Sequence, residues 1–162
     1  MMKRLLPLIL AAAAFLPTGA QQNEKKIIRI ATDNTDLVLE VGPNKRLYQT
    51  YLGPKLLFES ELQNLTWSQL AASDGAVSTR GWEAYSTSGN EDFFEPALGI
   101  THADGNMTTY LYYVDSSQQE VPGGVHTRIN LKDDQYPVSV TLNYVAYPKA
   151  VSYTHLRAHE TS

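Results

Sequence analysis

The sequence predicts an all-β fold, an antiparallel β-sandwich, on three observations. Two late segments alternate apolar and polar residues with period two. Turn-forming residues recur between short runs rich in Val, Ile, Leu, Thr and Tyr. No segment keeps a helical period for several turns. Period two with one polar face is the mark of a strand that lies with one side on a core. Seven or eight such strands with short turns make a sandwich.

The two ends differ from the body. Residues 1–20 run from Lys3 and Arg4 through an apolar block, Leu5 to Leu16, to Pro17-Thr18-Gly19-Ala20. That is the order of a secretory signal, with small residues before the expected cleavage after Ala20. The alternative is a buried N-terminal helix. The apolar block is shorter than the ~20 residues of a spanning helix. The chain holds 0 cysteines, so neither a disulfide nor an acyl anchor on cysteine is available. Export without disulfides fits a bacterial periplasm. At the other end, residues 151–162 end the strand alternation with no cap or turn chemistry. They resemble translated sequencing-adapter read-through and are expected not to be native. His155 and His159, four apart, therefore receive no role as a metal pair. One β-sandwich domain is expected over 21–150, with the possibility that it is incomplete. Lys3 and Arg4 fall in the leader, and Arg157 and Glu160 cancel. The net charge of −4 thus becomes −6 for residues 21–150. An acidic body argues against nucleic acid and against anionic membrane surfaces as partners.

Taken in order, Ile27–Thr32 is the first expected strand, and Asp33–Asp36 a polar turn whose side chains bond their own backbone. Leu37–Val41 follows and is broken by Gly42-Pro43-Asn44. Leu47–Leu52 is the third strand, stopped by Gly53-Pro54. Lys55–Val77 fits neither period and is expected to be mostly loop, with Leu62, Leu65 and Leu70 available for a short helical turn. Leu98–His102 and Thr109–Val114 flank Asp104-Gly105, which predicts a hairpin. Asp115–Gln119 reads as a polar turn and Gly123-Gly124 as a break. Val125, Thr127, Ile129 and Leu131 then face one way, against His126, Arg128, Asn130 and Lys132. After the turn Asp133–Pro137, Val138, Val140, Leu142, Tyr144 and Ala146 repeat the pattern. There is no fixed-period repeat and no low-complexity tract.

Most common chemistries find no residues here. The sequence holds no phosphate-binding glycine loop, no Gly-x-Ser-x-Gly elbow and no thiol. Outside the tail only His102 and His126 remain, and His126 falls on a polar strand face. Asp104-Gly105-Asn106 lacks the glutamate that would close a calcium loop. The sequons Asn64-Leu65-Thr66 and Asn106-Met107-Thr108 read as chance matches. Neither a metal nor a cofactor is expected. The stretch from Trp82 to Ala97 is different: aromatic, acidic, and broken by Gly89 and Pro96. It is a long loop between strand groups, where function concentrates. Trp82, Tyr85, Phe93 and Phe94 offer surface for sugar stacking, and Glu91, Asp92 and Glu95 offer carboxyls of the kind glycosidases use. A solvated acidic loop whose aromatics pack on the sandwich is the plainer alternative.

Several short motifs keep an order that resembles one family. They are Leu47-Tyr48 with Gly53-Pro54-Lys55-Leu56, Glu83-x-Tyr85, Gly89, Asp92, Pro96-Ala97 and Tyr110-Leu111-Tyr112-Tyr113. Together, over about Ile27 to Lys149, they resemble the N-terminal domain of glycoside hydrolase family 36, the α-galactosidases. The resemblance implies a large β-sandwich (supersandwich-like) ahead of a (β/α)8 barrel that carries two catalytic aspartates in a retaining mechanism. On that reading the chain stops before the barrel, and no catalytic residue is expected within it. The family's Gly-Asp-x-Arg-x-Pro-Ala pattern reads Glu91-Asp92-Phe93-Phe94-Glu95-Pro96-Ala97 here. In tetrameric members this loop reaches a neighbouring subunit's sugar site. With Glu91 for the glycine and Phe94 for the arginine, only Asp92 carries that contact over, as a hydroxyl acceptor.

The expected function is therefore the non-catalytic N-terminal part of an exported α-galactosidase, bracing the barrel and edging the sugar site. The expected substrate-binding residues are Asp92, Trp82 and Tyr85. The expected partners are α-galactoside sugars, the barrel of the same chain and possible further copies of the chain. The alternatives are a self-contained periplasmic carbohydrate-binding β-sandwich and a structural β-domain with no ligand.

Overall fold

The structure, a computed structural model, describes residues 25–65, 83–89 and 95–149. The proposed signal, residues 1–20, and the tail, residues 151–162, lie outside the described residues, as do Leu70, Trp82 and Glu91–Phe94. Two three-stranded antiparallel sheets face each other across one core. The first holds β1 (Lys26–Ala31), β2 (Thr35–Val41) and β3 (Leu47–Pro54), in that order. The second holds β4 (Tyr112–Val121), β5 (Gly124–Lys132) and β6 (Ser139–Ala146), also in order. The fold is the expected all-β sandwich, with six strands among the described residues where seven or eight were expected.

The alternation in the sequence sets the register. Ile28 and Ile30 of β1 and Leu37 and Leu39 of β2 face Ile129 and Leu131 of β5 and Val140, Leu142, Tyr144 and Ala146 of β6. Thr127 on the same face is fully buried, whereas Val125 at the strand start remains exposed. β2 is buried from Asp36 to Glu40 on both faces, as a central strand with a second layer against it must be. On its outer face Asp36 pairs with Arg29 at 2.6 Å and Glu40 with Lys25 at 3.6 Å.

Three local expectations need correction. β3 does not stop at Gly53-Pro54 but runs through it, with Pro54 opposite Thr35. Proline is tolerated there because it is the last residue of an edge strand. Asp115–Gln119 is not a turn. It lies inside β4, paired with Gln119 opposite His126 and Asp115 opposite Asn130. Its polarity reflects an exposed edge ribbon. The true reversal is Pro122-Gly123, with Val121 opposite Gly124 and Gly123 at φ +82°. That is the Pro-then-positive-φ order a type II turn requires.

The expected hairpin around Asp104-Gly105 forms only its tip. His102 N–H donates to the Asn106 carbonyl at 2.8 Å, and Gly105 sits at φ +85°. Its arms, 98–102 and 109–111, are not strands of a ladder. Their backbone groups go elsewhere: Thr109 N–H to the Ser88 carbonyl, and Tyr110 N–H to the Asp133 carboxylate. The short helical turn expected around Leu62 is present among the described residues after β3 as α1 (Glu59–Asn64), which buries Leu62. Glu61 caps its start by accepting Leu57 N–H and Phe58 N–H, both at 2.8 Å.

Candidate functional site

The stretch singled out in the sequence begins, among described residues, at Glu83. It is bolted to the start of β3. Ala84 N–H donates to the Leu47 carbonyl at 2.9 Å, and Glu83 forms an isolated antiparallel bridge with Tyr48. Arg46, with a side chain 4% exposed, reaches Glu83. Its Nη2 donates to Oε2 at 2.6 Å. Its Nε lies 2.5 Å from Oε1 without the alignment of a hydrogen bond. The other side of the guanidinium meets Tyr110, 5.3 Å from the ring centroid, a cation–π distance. An ion pair this buried is held by geometry, and loss of one partner strands the other charge.

Beyond Glu83 the chain forms a closed neck. Ser88 N–H donates to the Leu98 carbonyl at 3.0 Å, and Leu98 N–H to the Ser86 carbonyl at 3.2 Å. Ala97 N–H donates to the Ser86 hydroxyl at 3.2 Å. The neck is anchored underneath by the Thr87 hydroxyl on the Thr109 carbonyl and the Ser88 hydroxyl on the Met107 carbonyl. Gly89 leaves the neck at φ +85°, where a Cβ would lie 2.7 Å from the Thr108 Cα. Only glycine fits that position. The described ends of this segment, at Gly89 and Ala97, are therefore brought side by side.

The three expected sugar-binding residues fare differently. Tyr85 is half-buried and packs, with Ala84 and Leu98, against the sandwich core. Part of its ring is thus committed to packing. Asp92 falls in the sequence between Gly89 and Ala97, and Trp82 precedes Glu83, but both lie outside the described residues. Arg46 and Tyr110 were missed in the sequence. Arg46 and Glu83 are 37 residues apart, and no spacing rule joins them.

A polar cluster stiffens the ground beside Tyr110. Asp133 is buried and accepts three backbone N–H groups, from Tyr110 at 2.7 Å, Gln135 at 2.7 Å and Tyr136 at 2.8 Å. The Tyr136 ring stacks on His102 with centroids 3.5 Å apart, and the His102 Nε2 pairs with the Thr109 hydroxyl. Tyr136 O–H donates to Asp104, whose carboxyl is held below its usual range chiefly by the Asn106 N–H. The buried Asp36, Glu40 and Asp133 and the half-buried Glu83 are each held by a cation or by backbone N–H groups. The arrangement orients a loop; these carboxylates are spent on structure.

Residues 45–151 match the family model described as the glycosyl hydrolase family 36 N-terminal domain. Solved structures share the fold. The α-galactosidase from Lactobacillus brevis aligns with a TM-score of 0.62 at 19% identity, over 78% of this chain and 20% of that one. A family 36 α-galactosidase from Geobacillus stearothermophilus in complex with stachyose aligns with a TM-score of 0.60 at 18% identity, over 76% and 20%. A further α-galactosidase from that organism, AgaB, gives 0.59 at 19% identity, over 86% and 21%. The chain thus spans about a fifth of the length of these enzymes. No curated protein matches it.

Proposed function

This chain belongs to the glycosyl hydrolase family 36 N-terminal domains, and from that premise we propose that it is the non-catalytic β-sandwich of an exported, retaining α-galactosidase. The observation that carries the proposal is the family match over 45–151, which takes in β3 to β6 and the neck of the loop. The share of the solved α-galactosidases it aligns with, 20%, supports a role beside a separate catalytic barrel. The sandwich braces that barrel, and the loop between Gly89 and Ala97 edges the sugar site.

In this reading Asp92 accepts a hydrogen bond from a sugar hydroxyl, and Trp82 and Tyr85 supply stacking surface beside it. The substrates are α-galactosides such as raffinose and stachyose, the sugars bound in related crystal structures. The leader, residues 1–20, delivers the protein to the periplasm, and residues 151–162 are not native. Further copies of the chain are possible partners through the same loop.

Two measurements test the proposal. Incubated with an aryl α-galactoside, the purified 162-residue chain is expected to release no aryl alcohol above buffer; turnover would refute a non-catalytic role. A long read of the source DNA past codon 149 is expected to continue in frame into a barrel. A stop directly after codon 162 would point to a small self-contained module instead.

A further inference from the structure

A concave surface whose lining includes none of the described residues of the Glu83–Ala97 segment lies between the β2–β3 turn, the first residues of β4 and the β5–β6 connection. It is an open cleft of about 600 Å³, within the range of small-molecule sites. From its lining we infer that this cleft binds a neutral saccharide unit, as a subsite separate from the Gly89–Ala97 loop.

The first support is rigidity. Tyr113 N–H donates to the Lys45 carbonyl at 2.7 Å, tying the β2–β3 turn to β4. Lys45 itself is held at φ +61°, a conformation few non-glycine residues adopt. Asn44 is locked by its hydrogen bonds to Tyr48 and to the Arg46 N–H. The far wall is fixed by Asp133, which accepts the backbone N–H groups of Gln135 and Tyr136, and by the stack of Tyr136 on His102. A frame tied at this many points loses little freedom when a ligand arrives.

The second support is what the frame presents. Lys45, Lys132, Asp134 and Gln135 are exposed around the cleft, and their side chains make no hydrogen bond or ion pair with other described residues. Lys45 and Lys132 balance Asp133 and Asp134, so the cleft carries no net charge to attract a phosphate or a polyamine. Ammonium and amide donors set beside carboxylate and amide acceptors suit groups that both donate and accept, as sugar hydroxyls do. Between them stands Tyr112, half-buried, whose ring offers an apolar face for sugar C–H groups. Desolvation raises its phenol above the usual range, so it stays a neutral donor at physiological pH.

The test is a 1H–15N amide-shift titration of the 162-residue chain with raffinose, with inorganic phosphate in parallel. Expected are shifts at residues 44–45, 112 and 132–136 with a Kd of about 1 mM. Tyr112→Ala is expected to weaken binding about tenfold. Lys132→Met, an exposed change that leaves β5 intact, is expected to weaken it as well, while Phe58→Ala, outside the cleft, leaves it unchanged. No shifts up to about 100 mM raffinose, shifts confined to residues 83–97, shifts with phosphate and none with raffinose, or full affinity in Lys132→Met would each overturn the assignment. Binding is read from amide shifts and not from turnover, so the outcome is independent of the aryl α-galactoside assay.

Discussion

Tyr144 shows how the core controls a single side chain. It lies on the buried face of β6 at 9% exposure, and burial pushes its phenol from 10.0 up to about 12. The folded state therefore keeps a proton that the unfolded state loses first. The stabilisation is fully present below pH 10 and disappears as pH rises through about 12. Two units correspond to about 2–3 kcal/mol. Urea midpoints measured at pH 8 and pH 11 are expected to fall steeply in the native chain and less in Tyr144→Phe; equal falls would show that other groups dominate. Tyr112 and Tyr136 shift the same way, so the comparison with Tyr144→Phe isolates this residue. Residue by residue, the sequence announced Tyr144 through period two. It did not announce Asp133, which looked like one more turn carboxylate. Its burial depends on N–H groups from Tyr110, Gln135 and Tyr136, and one of these is brought there only by the fold. His126, expected at the surface, is half-buried on the outer face of β5 and pairs with the Asn143 amide oxygen.

Among elements, the segment from Glu83 to Gly89 depends most on a contact distant in sequence. Its hydrogen-bonded neck holds its shape, but Arg46 fixes that shape to β3. Arg46→Met removes the cation and leaves the Glu83 carboxylate in a site where it is 12% exposed. The expected cost is about 3 kcal/mol, seen as a lower thermal midpoint. Amide exchange at Ala84 and Ser88 is expected to quicken more than in β5. Unchanged exchange there would show that the neck stands without the pair. The β-elements divide by how local their signals are. β5 and β6 were legible because each alternates against one core. β4 was misread at Asp115–Gln119 because an edge ribbon with both faces wet has no apolar stripe to show. Residues 98–102 and 109–111 were misread as strands because their β-prone composition is satisfied by side chains and loops instead of a ladder.

For the molecule as a whole, the two sheets share one core. Leu37 and Leu39 from the first sheet and Ile129 and Leu142 from the second belong to the same buried cluster. Ile129→Ala, at a fully buried position, is expected to cost about 2–5 kcal/mol. Because the core is common, both sheets are expected to unfold in one transition, with amide exchange in β2 quickened as much as in β5. Protection kept in β2 alone would mean two independent units. The order of turns, alternating runs and short motifs by itself determined the all-β class, the inward faces of β5 and β6, and the resemblance to the family to which the chain belongs. These follow from nearest-neighbour chemistry: pleat, turn residues and short motifs. Only the tertiary structure decided that Glu83 pairs with Arg46, that the loop closes between Ser86 and Leu98, that Tyr85 leans on the core, and that Lys45, Tyr112 and Lys132 border one cleft. Each joins residues far apart in the chain, and which partners meet is set by how the sheets pack, a term that no local pattern contains.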